Sequence, residues 1–253
     1  MPIYIESPFA FTKSIKPDRA VYIVVDTFRA TSSMVTLKNS GVERIIVVQE
    51  GSSAKKLRKE NFPNYLLIGE EGGLKIHGFD YGNTPSLFYD QDFGKKNVIF
   101  TSTSGAKTIL LLKPHKHVFL GSLVNLDRAS EEAVTIMNEE KSNLYIIPAG
   151  YYKDENAYTV EDWITSLSIA YKVIERTNDF IGSKNEFLLK TKQLHEKEPN
   201  IVHLLRKSPN AKYLGKLGFK DDVNFALSIN KIDDFLKVKK WLNYGEINYV
   251  TLE

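Results

Sequence analysis

The stretch YIVVDTFRATSSMVT, residues 22–36, decides the fold. Four apolar β-formers, 22–25, run directly into Asp26 and Arg29, and the hydroxyls Thr31, Ser32 and Ser33 follow. A strand that is apolar at every position is covered on both faces, as strands are in α/β proteins with parallel sheets. The residues after it, 30–40, predict a helix stopped by Gly41. Opposite charges at this junction lie at the strand end, where α/β sheets bind ligands.

The same alternation continues outward. Strands are predicted over 44–48, 65–68, 98–101, 118–120 and 144–147, and helices over 53–60, 106–113, 126–141 and 160–176, the last with Thr159 as N-cap. Residues 183–198 predict an exposed amphipathic helix, with further helix as far as Gly218, broken by Ser208 and Pro209. VNFALSI and INYVTL are expected as strands flanking a helix that holds Trp241. No Pro-, Gly- or Ser-rich linker interrupts the chain, so residues 1–253 are expected to form a single domain whose tail completes the sheet.

Composition narrows the function. With 42% hydrophobic and 26% charged residues, the chain is neither disordered nor fibrous. A net charge of +3 is too small and dispersed for a nucleic-acid partner, and the basic runs 55–59 and 237–240 fall on helix-like patterns as solvated faces. The absence of cysteine excludes disulfides, thiolate metal sites and a cysteine nucleophile. Neither a signal-like N-terminus nor an apolar run long enough to span a bilayer is present, so the expectation is a soluble, cytoplasmic protein with no membrane partner.

Polar residues recur at the strand ends. Asp26 suits either a helix cap or a divalent cation, and Arg29 either its ion-pair partner or a grip on phosphate or sulfonate. GEEGG, with Glu70 between Gly69 and the pair Gly72 and Gly73, lets backbone approach a ligand. TSTSG opens a helix, so Ser104 and Gly105 offer amides and a hydroxyl to an anion, without the Lys of a Walker loop. Glu161 and Asp162 occupy a first helical turn, where the dipole alone favours acids. The five histidines lack metal-binding spacing, Phe28 stands where a haloacid-dehalogenase phosphatase needs its second Asp, and no GxSxG elbow occurs. Carboxylates with basic and hydroxyl partners remain, a set suited to divalent-metal chemistry on a small anion.

In order, these motifs resemble the 2-phosphosulfolactate phosphatases of the ComB type, enzymes of coenzyme M biosynthesis. The resemblance runs from about residue 21 to residue 169. Asp26, Arg29, Ala30, Thr31 and Ser32 match the first motif; Gly69, Glu70, Gly72 and Gly73 the second; Gly78, Phe79, Asp80, Gly82, Asn83 and Pro85 the third. Gly121, Ser122 and Asn125, then Gly150, then Glu161 and Asp162 complete it, with weaker similarity at SPNAKYLGKLGFKDDVNFAL. It implies a three-layer α/β/α sandwich around a mixed, mostly parallel sheet and Mg2+-dependent hydrolysis of a small anionic phosphate ester, with a homodimer compatible. Asp26, Arg29, Glu70 and Glu161 are the implied catalytic residues and Asp26, Glu70 and Asp162 the implied metal ligands. Thr31, Gly72, Gly73, Asn83, Ser104, Gly105 and Asn125 are the implied substrate-binding set.

Three positions depart from the family pattern. Glu71 stands where Arg is usual, and Ser104 and Ala106 where Asn and Thr are usual. In a site for a multiply charged anion, each unit of misplaced charge costs on the order of 4 kcal/mol at an effective dielectric near 20. Either Glu71 points away from the site, or the ligand differs, and the rival expectation is a non-catalytic anion-binding protein of the same fold.

Overall fold

The computed structural model describes residues 1–13, 19–150, 159–177 and 201–253. Ten strands are formed: β1 (Ile3–Ile5), β2 (Ala20–Val25), β3 (Arg44–Val48), β4 (Leu66–Glu71), β5 (Leu74–Lys75), β6 (Asn97–Thr101), β7 (His117–Gly121), β8 (Asn143–Pro148), β9 (Leu236–Tyr244) and β10 (Ile247–Leu252). They make one mixed sheet in the order β1-β8-β2-β7-β9-β10-β3-β6-β4-β5. The antiparallel hairpin β9–β10 sits in the middle. It joins the parallel block β1-β8-β2-β7 to the parallel block β3-β6-β4.

The helices are α1 (Pro8–Lys13), α2 (Ala30–Asn39), α3 (Gly51–Glu60), α4 (Pro85–Tyr89), α5 (Gly105–Leu111), α6 (Leu126–Glu140), α7 (Val160–Arg176), α8 (Ile201–Arg206), α9 (Pro209–Lys216) and α10 (Lys220–Ala226). Strand alternation explains the layers, because successive side chains point to opposite faces. Tyr22 and Val24 of β2 enter one core with Met34 of α2 and Ile109 of α5. Val21, Ile23 and Val25 enter the other, with Met137 of α6 and Val173 of α7. On β3, Ile46 and Val48 meet Ala54 and Leu57 of α3. The result is the expected α/β/α sandwich. Among the described residues no helix is long and apolar enough to cross a membrane.

α7 approaches the sheet closely at Gly121. A Cβ there would lie 2.6 Å from Ile23 Cγ2 and 2.7 Å from Ile169 Cδ1, so strand and helix meet over bare backbone. Gly121→Ala is expected to cost about 1–3 kcal/mol through overpacking. A lowered thermal midpoint would show it.

Two expectations for the tail need correction. VNFALSI is not a strand, because residues 220–226 form α10. Val223, Phe225, Leu227 and Ile229 alternate as a strand would, but Val223, Ala226 and Leu227 also share one helical face, and that face packs with Leu214. Nor is Trp241 helical. It lies on β9, where Leu236 and Val238 point inward and Lys237, Lys239 and Lys240 are exposed, so that basic run belongs to a strand. Gly245, with φ +55°, turns β9 into β10. β1, β5, α1 and α4 had no distinct sequence signal, being six residues or shorter. The helix expected over 183–198 lies outside the described residues.

Candidate active site

The carboxyl ends of β2, β4, β6 and β8 open onto a cleft of about 230 Å³, walled by the turns that follow them and by α9. Helices α8 to α10 roof this edge. Leu205, Ala211, Leu214 and Val223 bury against Phe28, Leu123 and Ile164, so the C-terminal helices close a site built on the sheet.

Asp26 leaves the end of β2. Its Oδ1 accepts the Ala30 N–H at 3.1 Å, which helps start α2, and Thr31 Oγ1 accepts the Asp26 N–H at 3.0 Å. The helix-cap reading is therefore satisfied by one oxygen, while the carboxylate as a whole faces the cleft. Gly105 passes close behind it: a Cβ at that position would lie 2.7 Å from Asp26 Oδ2 and 2.6 Å from the Ala30 Cβ.

Arg29 is not the ion-pair partner of Asp26. Its Nη1 donates to Asp222 Oδ2 at 3.0 Å and its Nη2 to the Gly73 carbonyl at 2.6 Å, and its Cζ stacks 4.2 Å from the Phe219 ring centre. Asp222 is held from its other side by the Ser86 N–H and Oγ, at 3.1 and 2.6 Å. Arg29 and Asp222 side chains are 2% and 3% exposed, so this pair is fixed and desolvated. Arg29 still lines the cleft, with N–H donors beyond the two already used.

Glu70 ties two loops together. Oε1 accepts the Thr103 N–H at 2.7 Å, and Oε2 accepts the Gly73 N–H at 2.6 Å and the Thr103 hydroxyl at 2.9 Å. Thr103 Oγ1 in turn accepts the Gly72 N–H at 3.1 Å. Gly72 and Gly73 sit at φ +59° and +86°, left-handed conformations that suit glycine, and the turn brings backbone to the cleft. Glu71, the next residue after Glu70, is exposed and does not line the cleft.

Glu161 and Asp162 begin α7 and are buried. Asp162 Oδ1 accepts the Thr27 N–H at 2.7 Å, which locks α7 to the turn after β2. Glu161 is 1% exposed, with Oε1 accepting the Asn210 Nδ2–H at 2.9 Å and Oε2 unpartnered among the described residues. Burial first, then the charges of Glu70 and Glu161, push Asp26 from its ordinary 3.8 up to about 7, against the pull of the Ala30 amide. Burial, then Asp26 and Glu161, raise Asp162 well above its ordinary value.

These shifts fix the pH dependence of the cation-free protein. A raised acid binds its proton more tightly when folded, so its stabilising effect is complete below about pH 4 and is lost as pH rises through about 7. The slope for each group is about 1.4 kcal/mol per pH unit. Urea unfolding is expected to show a lower midpoint at pH 8 than at pH 5.

The cleft brings together Asp26, Arg29, Glu70, Gly72, Gly73, Asn83, Ser104 and Asp162 of the sequence-predicted set. Glu161 lies beside them without lining it. Thr31 and Gly105 stand behind Asp26. Asn125 is away from the lining: its Oδ1 accepts the Ser122 N–H and hydroxyl at 3.0 and 3.1 Å, and its Nδ2 reaches the Leu120 and Asp234 carbonyls, so it braces the turn after β7. Ala106 is buried beneath, with its N–H given to Ser102 Oγ. Tyr151, Tyr152 and Tyr158, expected near the mouth, lie outside the described residues.

Sequence reasoning did not single out Thr103, Asn210, Tyr213 or Asp222. Thr103 stood inside the quoted TSTSG, and the other three inside the tail of weaker similarity, which was the one signal available for them.

Comparison with known proteins accords with this geometry. A family model described as 2-phosphosulpholactate phosphatase matches residues 7–240. The "Probable 2-phosphosulfolactate phosphatase" of Caldicellulosiruptor saccharolyticus is 31% identical over 213 residues, covering 83% of this chain and 86% of that protein. Proteins with the same description from Clostridium novyi and Clostridium acetobutylicum are 28% and 27% identical, over 87% and 93% of this chain and 90% and 94% of theirs. The sandwich, its acid-lined cleft and these matches define a phosphoric monoester hydrolase. The chain belongs to the 2-phosphosulpholactate phosphatase family.

Proposed function

We propose that this protein hydrolyses the phosphate ester of a small anionic acid with the help of Mg2+, and that 2-phosphosulfolactate, the compound in its relatives' names, is that substrate. The observation that carries the reading is the cleft wall itself, where Asp26, Glu70 and Asp162 share one small space with Arg29.

The residues fit a cation. Among the described residues no three acidic or histidine side chains are already gathered as a closed metal-binding group. Mg2+ does not need one, since it is commonly held by one or two carboxylates, with water and substrate phosphate oxygens completing its shell. Burial and neighbouring acids raise Asp26 and Asp162, and two buried acceptors without donors among the described residues, Glu161 Oε2 and Asn83 Oδ1, leave acceptor capacity for a cation around the cleft. Asp26, Glu70 and Asp162 would hold the ion, with Glu161 adjoining, and a bound Mg2+ would offset phosphate charge and ease deprotonation of water.

The chain's own groups do the rest. The remaining donors of Arg29 and the hydroxyl of Ser104 orient the phosphoryl oxygens, and the Phe219 ring and Asp222 keep the guanidinium from swinging away. Water attacks phosphorus, the ester P–O bond breaks, and the departing alkoxide takes up a proton. Asp26 binds a proton near neutrality in the cation-free protein, so it can take part in that transfer. The charge objection raised by Glu71 lapses because its side chain is exposed off the cleft wall.

The test is phosphate release from 2-phosphosulfolactate with Mg2+, with EDTA, and after Mg2+ is restored. Turnover that EDTA removes and Mg2+ returns is expected. No release from this compound or from a panel of phosphate monoesters would overturn the reading.

A further inference from the structure

One part-buried contact at the site comes from far along the chain. Asn210 stands in the first turn of α9, just after Ser208, whose Oγ accepts the Ala211 N–H at 3.1 Å and fixes where the helix begins. From there the Asn210 amide donates to Glu161 Oε1 at 2.9 Å, and Asn210 itself lines the cleft. Three residues on, one turn along the same helix face, the Tyr213 hydroxyl donates to the Gly72 carbonyl at 3.0 Å. Leu214 packs near Gly73. Helix α9 thus spans the two halves of the site, tied to the start of α7 on one side and to the glycine turn after β4 on the other.

The asymmetry at Glu161 gives this contact a purpose. A carboxylate 1% exposed, with one oxygen held and the other without a partner, has one rotamer fixed and one acceptor in reserve. An acid that served only to hold the fold together would have both oxygens satisfied, and Glu161 has one. We propose that Asn210 is a positioning residue: its amide clamps Glu161 Oε1 so that Oε2 stays available beside Asp26 and Asp162 during phosphate-ester hydrolysis. The inference rests on the phosphatase reading. Asn210 acts through Glu161 and through the place where α9 is seated.

Asn210→Asp keeps the shape and removes the donor, Asn210→Ala removes both, and Lys212→Ala, exposed on the same helix, serves as control. With 2-phosphosulfolactate as substrate, both Asn210 variants are expected to lose at least about tenfold in kcat with KM within a few fold of wild type, while the control keeps wild-type kinetics. A loss confined to KM would make Asn210 a mere wall contact, and an Asn210→Asp protein as active as wild type would show that the donated hydrogen bond is idle. Either outcome overturns the proposal while leaving wild-type turnover intact. Should the wild type release no phosphate, the phosphatase reading fails separately, and a thermal-melting cycle with Asn210→Ala, Glu161→Gln and the double variant then decides the contact. Non-additive shifts in midpoint are expected, and additive ones would end the inference.

Discussion

Arg29→Ala should unfold well before the wild type, losing about 3–5 kcal/mol, the range for breaking a buried ion pair from one side. The cost arises because Asp222 would remain 3% exposed with its charge answered only by Ser86. The Gly73 carbonyl would also lose its 2.6 Å donor, and the Phe219 ring its stacked cation. Chemical denaturation followed by circular dichroism measures the loss. The double variant Arg29→Met, Asp222→Leu should be markedly less destabilised, since no charge is then left buried alone. Both should be inactive on phosphate esters. A single variant as stable as wild type would show that solvent reaches Asp222, and would remove the argument that Arg29 is fixed in advance for an anion.

The second large effect is expected at Asp26, where activity and stability move in opposite directions. Asp26→Asn retains an oxygen to accept the Ala30 N–H but carries no charge, so turnover should fall by about 10²–10⁴-fold, the range for removing a proton-handling group. At pH 8 the wild type must keep Asp26 ionised against burial and against Glu70 and Glu161. Removing that requirement should raise cation-free stability, at most by on the order of 4 kcal/mol, since a shift from 3.8 to about 7 is worth about 1.4 kcal/mol per unit. Near pH 4 the advantage should vanish, because the wild-type acid is then protonated. Equal stability at pH 8, measured without divalent cations, would mean the carboxyl is not strained by its neighbours.

Much of this was readable in advance, and the reasons differ by element. The apolar run of β2 and its abrupt end at Asp26 could be placed from local pattern alone, because double-sided burial leaves no polar position in the strand. The start of α7 at Val160 likewise followed from Thr159, which stands at the N-cap position. At 223–229 pattern failed, since a short apolar run satisfies both periods and only packing against Leu214 chooses between them. The site was half legible. Acids and glycines at strand ends announced themselves, whereas the partner of Arg29 lies 193 residues away and that of Glu161 lies 49 residues away. Nothing in local spacing encodes such pairings. The motifs gave residue types; the tertiary fold alone shows that Asn125 also reaches the Asp234 carbonyl and that Glu71 faces solvent.

The hairpin β9–β10 at the centre of the sheet carries a consequence for biosynthesis. A chain emerging from the ribosome can pair β2 with β7 and β8, and β6 with β3 and β4, as two separate leaves, but the strand pairing between the leaves is made by residues 236–252. Asp26 belongs to one leaf and Glu70 to the other, so the cleft straddles a seam whose strand pairing is completed last. Nascent chains stalled short of the hairpin should expose two half-sheets with unpaired edges, natural clients for chaperones.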